Sequence, residues 1–332
     1  MPERRGGAGG GHPALPPGDL RATVPVQHGL RRALRVLHIS DSHVSCGDGW
    51  MAERRGFSLP AADPIHTAYA DGRDETSRST ETTMRQFREQ VAAGVAAGAE
   101  LIVHTGDLLN IPSEESVAHV HTVLTEAGRP FVYISGNHDW CYEGLGGGAE
   151  EAVSEAGRQA VRAEWRNKRL GPLFPNNRSS SHWSEEIGGL VFVAIDNSTC
   201  MVDREQHQFY RSAVDAAFRG GKCVLLLLHV PLFLPDLAAA MAGDDGAGDY
   251  CGDVESRGPH APDTETLAFV ETVVRHGGVD GPLCAVLAGH IHSAQAQPLV
   301  PGAEGGAMQL VTEAGCNDGY RLVDFVPTGA AL

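Results

Sequence analysis

The chain is short of the features that mark several protein classes. Its seven cysteines (Cys46, Cys141, Cys200, Cys223, Cys251, Cys284 and Cys316) are odd in number, irregularly spaced and form no Cys-x-x-Cys pair. Disulfide frameworks and thiolate metal cages need regular pairing, so reduced thiols in a cytoplasmic protein are expected. No stretch approaches the roughly 18 consecutive apolar residues of a membrane-spanning helix. Residues 1–33 carry Arg4-Arg5 and Arg31-Arg32 but lack the continuous apolar region of a signal peptide. Their Gly and Pro content points to a disordered leader. Basic residues are few, 26 Lys and Arg against 42 Asp and Glu, for a net charge of −16. That balance argues against general nucleic-acid binding and against docking on an anionic membrane. It leaves a phosphate substrate open, because bound divalent cations reverse the local field.

What is present is an alternation of short apolar runs with helical patterns. The runs are Val36–Ile39, Leu101–Val103, Phe131–Ile134, Leu190–Ile195, Val224–Leu228 and Ala285–Leu287. Near-continuous apolarity predicts strands buried on both faces. Met84, Phe87, Val91 and Val95 lie on one helical face that Gly98 ends. Ser113 is placed to cap a second helix, with Glu114 and Glu115 in its first turn and Gly128 at its end. Asp203–Arg219 and Thr264–Arg275 read as two more. Met308–Val311 and Arg321–Val326 read as strands, and His182–Glu186 with Leu190–Ile195 as a hairpin around Gly188-Gly189. The fold class is α/β, with mixed sheets covered by helices. One domain is expected over 34–326, with a tail at 327–332 and two long insertions, 44–76 and 236–262, each starting just after a motif.

Five segments each end an apolar run with metal-binding side chains: Asp41-Ser42-His43, Gly106-Asp107-Leu108-Leu109-Asn110, Gly136-Asn137-His138-Asp139, His229-Val230-Pro231 and Gly289-His290-Ile291-His292. Ligand sites in open α/β sheets gather at the carboxyl ends of strands. Asp41 and His43 share a face if the backbone there is extended. A carboxylate such as Asp107 has two oxygens and can bridge two cations. Gly106 and Gly136 permit tight turns. His38 and His104 lie in or beside strands without such context and read as structural. His119 and His121, two apart on a helix, do not share a face.

In this order the five segments resemble the calcineurin-like metallophosphoesterase family, whose pattern is D-x-H, G-D-x-x-D, G-N-H-D/E, H and G-H-x-H. The resemblance covers roughly Leu34 to Val326. It implies a four-layer α/β/β/α sandwich with the site at strand ends. It also implies two divalent metal ions, one held by Asp41, His43, Asp107 and His292, the other by Asp107, Asn137, His229 and His290. Mixed carboxylate, amide and imidazole donors suit manganese, iron or zinc. The implied reaction is hydrolysis of a phosphoric ester by metal-bound hydroxide, with His138 facing the substrate. The sequence departs from the commonest pattern at Asn110, where relatives carry an Asp that orients the catalytic histidine. An amide oxygen can still accept the imidazole N–H but cannot stabilise its cation by charge, so His138 is expected to be a weaker general acid. Asp139 is a second candidate to orient it.

The expected partner is a small phosphate-ester substrate, as a diester or a monoester, and the absence of a basic stripe speaks against a nuclease. A phosphomonoesterase of a small metabolite is one alternative. A protein-interaction scaffold on the same fold is another, although scaffold relatives lack the catalytic histidine. Trp50, Trp140 and Tyr142 are candidates to stack on a nucleobase, with ordinary packing as the competing reading. Arg54, Arg55, Arg73 and Arg78 read as solvated surface.

Overall fold

The structure, a computed structural model, describes residues 20–45, 80–110, 112–140, 163, 166–174, 178–234, 250–254 and 261–328. Most of both insertions, and with them Cys46, Trp50, Arg54, Arg55, Arg73 and Arg78, lie outside the described residues, as do Cys141, Tyr142, residues 1–19 and 329–332. Among the described residues no helix is long and apolar enough to cross a membrane.

The first sheet has the order β1-β11-β2-β3-β4, built from β1 (Leu20–Val26), β11 (Arg321–Pro327), β2 (Leu34–Ile39), β3 (Leu101–His104) and β4 (Phe131–Tyr133). The second has the order β5-β6-β7-β8-β10-β9, from β5 (His182–Ile187), β6 (Leu190–Ile195), β7 (Val224–Leu227), β8 (Leu283–Ala288), β10 (Met308–Val311) and β9 (Gln295–Pro298). β2, β3 and β4 run parallel, as do β6, β7, β8 and β10. Parallel strands point their carboxyl ends the same way, so the loops that follow them converge at one edge of each sheet.

Helix α1 (Thr80–Ala96) and α2 (Glu114–Ala127) cover the first sheet, and α4 (Arg204–Arg219) and α5 (Thr264–His276) cover the second. A short helix, α3 (Asn137–Trp140), follows β4. Three apolar layers result. Phe87, Val91, Val120 and Leu124 pack under the first pair of helices. Val36, Leu101, Phe192, Leu225, Leu287 and Phe325 fill the space between the sheets. Val214, Phe269, Val273 and Leu226 pack under the second pair. Each such side chain, once buried, contributes about 1.5–3 kcal/mol. This is the four-layer α/β/β/α sandwich expected from the motifs.

The helix ends follow the sequence signals. Ser113 accepts from the Ser116 backbone N–H, and Gly128 closes α2 at φ 60°. Asp203 and Gln206 form a reciprocal capping box at the start of α4. One expectation is corrected here. Residues 20–26, assigned by composition to a disordered leader, form β1 and pair with β11 along its whole length. Leu20, Val24 and Val26 are buried, and Val24 and Val26 enter the layer between the sheets.

Candidate metal centre

The five motif segments leave the carboxyl ends of β2, β3, β4, β7 and β8 and meet in one place. The loop carrying Asp41 and His43 is laced to the next one by Asp41 N–H to Gly106 O (2.9 Å), His43 N–H to Asp107 O (3.0 Å) and Val44 N–H to Leu108 O (2.9 Å). The backbone is not extended there: Asp41 and His43 have φ of 53° and 44°. Asp107, His290 and His292 are also left-handed, at 50°, 71° and 51°. Non-glycine residues enter this region at a cost, and such strain gathers where surrounding contacts over-determine the backbone. Among the described residues only Cys200 and Asp318 share it.

Glycine makes the close approach possible. A Cβ on Gly289 would lie 1.7 Å from Ser40 Oγ and 2.4 Å from Asp41 Oδ2. One on Gly136 would lie 2.1 Å from Asp107 Oδ1. Gly289→Ala is therefore expected to push Asp41 out of place, lowering Tm and divalent-metal content together. Unchanged values for both, by thermal melt and elemental analysis, would show that the neighbouring loops yield freely.

The side chains form two overlapping groups. In the first, His43 Nε2 lies 3.2 Å from His292 Nε2 and 3.9 Å from Asp107 Oδ2, and His292 Nε2 lies 3.5 Å from Asp41 Oδ1. In the second, His229 Nε2 lies 3.4 Å from Asp107 Oδ2, 3.2 Å from His290 Nδ1 and 3.1 Å from Asn137 Oδ1. Asp107 belongs to both. Asp41, His43, Asp107 and His229 are buried, whereas Asn137, His138, His290 and His292 are half-buried and form the open side.

These residues fit divalent cations. Ring nitrogens facing each other at 3.2 Å can share at most one proton between them, whereas a cation would satisfy both lone pairs. Asp41 Oδ1 is buried with no hydrogen-bond partner, a costly state for a carboxylate oxygen unless an ion meets it. His229 Nδ1 lies 2.9 Å from Thr105 O, which can only accept. That bond fixes the tautomer and turns Nε2 toward the site, as supporting partners of metal-ligating histidines do. Burial opposes charge on His229, but Asp107 and Asp41 outweigh it and push its pKa up to about 10. Burial likewise favours a neutral Asp107, yet His229 and His138 hold its pKa well below the usual carboxylate range.

His138 donates its backbone N–H to Asp107 Oδ1 (2.9 Å), and its Nδ1 lies 3.1 Å from Asn110 Oδ1. Its ring stands edge-on to His43 at 4.7 Å. Asn110 thus lies within hydrogen-bond distance of the His138 ring. Asp139 is not placed as a catalytic partner. Its oxygens accept from the backbone N–H groups of Leu108 (3.3 Å), Leu109 (2.8 Å) and Gly136 (2.8 Å). It braces the Asp107 loop against the Asn137 turn. Burial and the nearby Asp107 carboxylate raise its pKa to about 7. Trp140 is fully buried, stacks near Phe174 and donates its indole N–H to Asp196 Oδ2 at 2.8 Å, so packing rather than base stacking accounts for it.

His38 and His104 are buried below the site, against Thr105 Oγ1 and Ser42 Oγ at 2.9 Å each. Both are structural, and burial lowers the His104 pKa to about 3. Sequence reasoning missed Asn197, whose Oδ1 accepts from the His229 and Val230 backbone N–H groups, each at 3.0 Å. Its only signal was its place at the end of β6. Cys316 was also missed; its thiol lies with the His43 and His292 nitrogens in one group of possible ligands.

A sequence model of the calcineurin-like phosphoesterases matches residues 34–294. The chain belongs to the calcineurin-like phosphoesterase family. It is similar to a probable cyclic nucleotide phosphodiesterase of Psychrobacter arcticus, 32% identical over 108 residues. That match spans 32% of this chain and 31% of the relative, about a third of either. Its fold is similar to a dimetal phosphatase of Danio rerio, with TM-score 0.53, 11% identity, and coverage of 86% of this chain and 89% of that one. It is also similar to a purple acid phosphatase from yellow lupin (Lupinus luteus), with TM-score 0.50, 13% identity, and coverage of 88% of this chain and 45% of that one.

Proposed function

We propose that the centre holds two divalent cations and hydrolyses a small phosphodiester. One ion would be held by Asp41, His43, Asp107 and His292, the other by Asp107, Asn137, His229 and His290. The observation that carries this reading is Asp107 Oδ2, which lies between the groups at 3.9 Å from His43 Nε2 and 3.4 Å from His229 Nε2. When bound, the cations would stabilise phosphoryl charge and activate a water nucleophile.

The protein's own groups do the rest. Half-buried His290 and His292 flank the open side with His138, so substrate approaches there. Asn110 Oδ1 accepts from His138 Nδ1–H, and in the doubly protonated imidazolium the Nε2–H would pass its proton to the departing ester oxygen, leaving neutral His138 with its proton on Nδ1. Asn197 and Thr105 hold the His229 loop and ring. Asp139 keeps the Asp107 and Asn137 turns together. The small-diester assignment is supported by the acidic balance of −16, which disfavours polymeric nucleic acid, and by the similarity to the Psychrobacter protein. Manganese, iron and zinc all suit the oxygen and nitrogen donors. We place the catalytic domain at residues 20–328, with β1 included.

The test is hydrolysis of bis-p-nitrophenyl phosphate against p-nitrophenyl phosphate by the Mn²⁺-loaded protein. Faster diester turnover is expected. Preference for the monoester would reassign the enzyme as a phosphomonoesterase of a small metabolite. No turnover of either with two metals bound would favour the scaffold reading.

A further inference from the structure

The carboxyl end of β10 brings a sixth loop to the centre, and it carries no family motif. After Val311 the chain runs into a single 3-10 turn, Gly315–Asn317. That turn is fastened to the first ligand loop by Gly315 N–H to Ser40 O (2.7 Å) and Cys316 N–H to Asp41 O (3.0 Å). From the other side, Gln90 of α1 donates to Gly315 O (2.7 Å) and Gln86 to Asp318 Oδ1 (2.7 Å). A Cβ on Gly315 would lie 2.8 Å from Ser42 Oγ, so the turn sits as close as glycine allows. Cys316 is thereby held buried beside the first group of ligands.

Its Sγ and the ring nitrogens of His43 and His292 all lie within 4.8 Å of one another. Thiolate and imidazole donors on one tetrahedral zinc ion lie about 3.6 Å apart. Side-chain movements of up to about 1 Å would close the group around an ion. The fourth wall suits a cation as well: buried Asp41 Oδ1 has no hydrogen-bond partner and lies 3.5 Å from His292 Nε2.

We propose that Cys316 is an additional ligand of the first metal position, supplying a thiolate beside Asp41, His43 and His292. The proposal rests on the two-cation reading of the centre. On binding, the S–H bond breaks, the sulfur lone pair forms the metal bond and the proton leaves to solvent. A thiolate among oxygen and nitrogen donors biases that position toward zinc, iron(II) or cobalt(II) and away from magnesium or manganese. The two positions would then differ in metal preference.

The experiment loads the full chain with Co²⁺ and records its absorption spectrum. A near-ultraviolet thiolate-to-cobalt charge-transfer band is expected in the wild type. Cys316→Ser and Cys316→Ala should keep two cobalt ions per chain and lose the band. Their preference for Zn²⁺ over Mn²⁺ at one position should fall roughly 10–100-fold, the range seen when a supporting partner of a metal site is removed. Zinc-edge X-ray absorption of the wild type should show a sulfur neighbour at about 2.3 Å, which tests the proposal even if the variants fail to fold. Two ions bound without a sulfur neighbour, or a band undiminished in both variants, would overturn it. Fewer than two ions in the wild type would instead overturn the two-cation reading, and this proposal with it.

Discussion

Asp107→Ala should remove activity and metal together. The carboxylate contributes to both groups of ligands through Oδ2, and through Oδ1 it receives the His138 backbone N–H. Removing it leaves His43 and His229 facing a gap with no shared anion. Turnover should fall by more than roughly 10³-fold, the scale on which loss of a preorganised electrostatic group is felt. The informative companion is Asp107→Asn, which keeps the shape and can still accept from His138 but carries no charge to bridge cations. Both variants should bind fewer than two metal ions by elemental analysis, and Asp107→Asn should melt near the wild type. A variant that kept both ions and a tenth of the activity would show that Asp107 does not bridge.

The site was legible in the sequence because each motif closes a strand whose apolar run is itself legible. β2, β3, β7 and β8 are interior strands and β4 is a mostly buried edge strand, so their ends and the ligands after them could be read together. The misses share a physical cause. β1 is an edge strand that contains Arg21 and Pro25, and its partner β11 begins about 300 residues later. No local pattern reports so distant a pairing. β9, Gln-Ala-Gln-Pro, is a four-residue edge strand with no β-branched or aromatic residue to mark it. Asp41 and His43 were expected to share a face of extended chain. They come together instead through left-handed turns held by the neighbouring Asp107 loop and by the Gly315–Asn317 turn. Asp139 follows His138 directly and so looked like its partner, but α3 turns its carboxylate toward the buried backbone N–H groups. Cys316 is 24 residues past His292 in sequence, and β10, parallel to β8, returns it to the same edge. Sheet topology places it there, and spacing carries no trace of it.

His138→Ala should lower kcat by about 10²–10⁴-fold, the usual worth of a positioned proton donor, while both metal ions stay bound. His138 meets the centre through its backbone N–H and the edge of its ring against His43, and it is not one of the proposed ligands. Metal content therefore separates its loss from that of Asp107. The size of the fall should depend on the ester. Aryl oxides leave with little help, so p-nitrophenyl esters should suffer least, and alkyl esters, which need the proton, most. Asn110 sharpens the same test. Its amide fixes the imidazole tautomer without adding negative charge, so Asn110→Asp should speed alkyl-ester cleavage relative to aryl-ester cleavage. His138→Ala in the Asn110→Asp background should erase that gain. If Asn110→Asp left the alkyl-to-aryl ratio unchanged, or if the gain survived without His138, the proton would have to come from another group. The half-buried His290 or His292 at the mouth would then be the first to test.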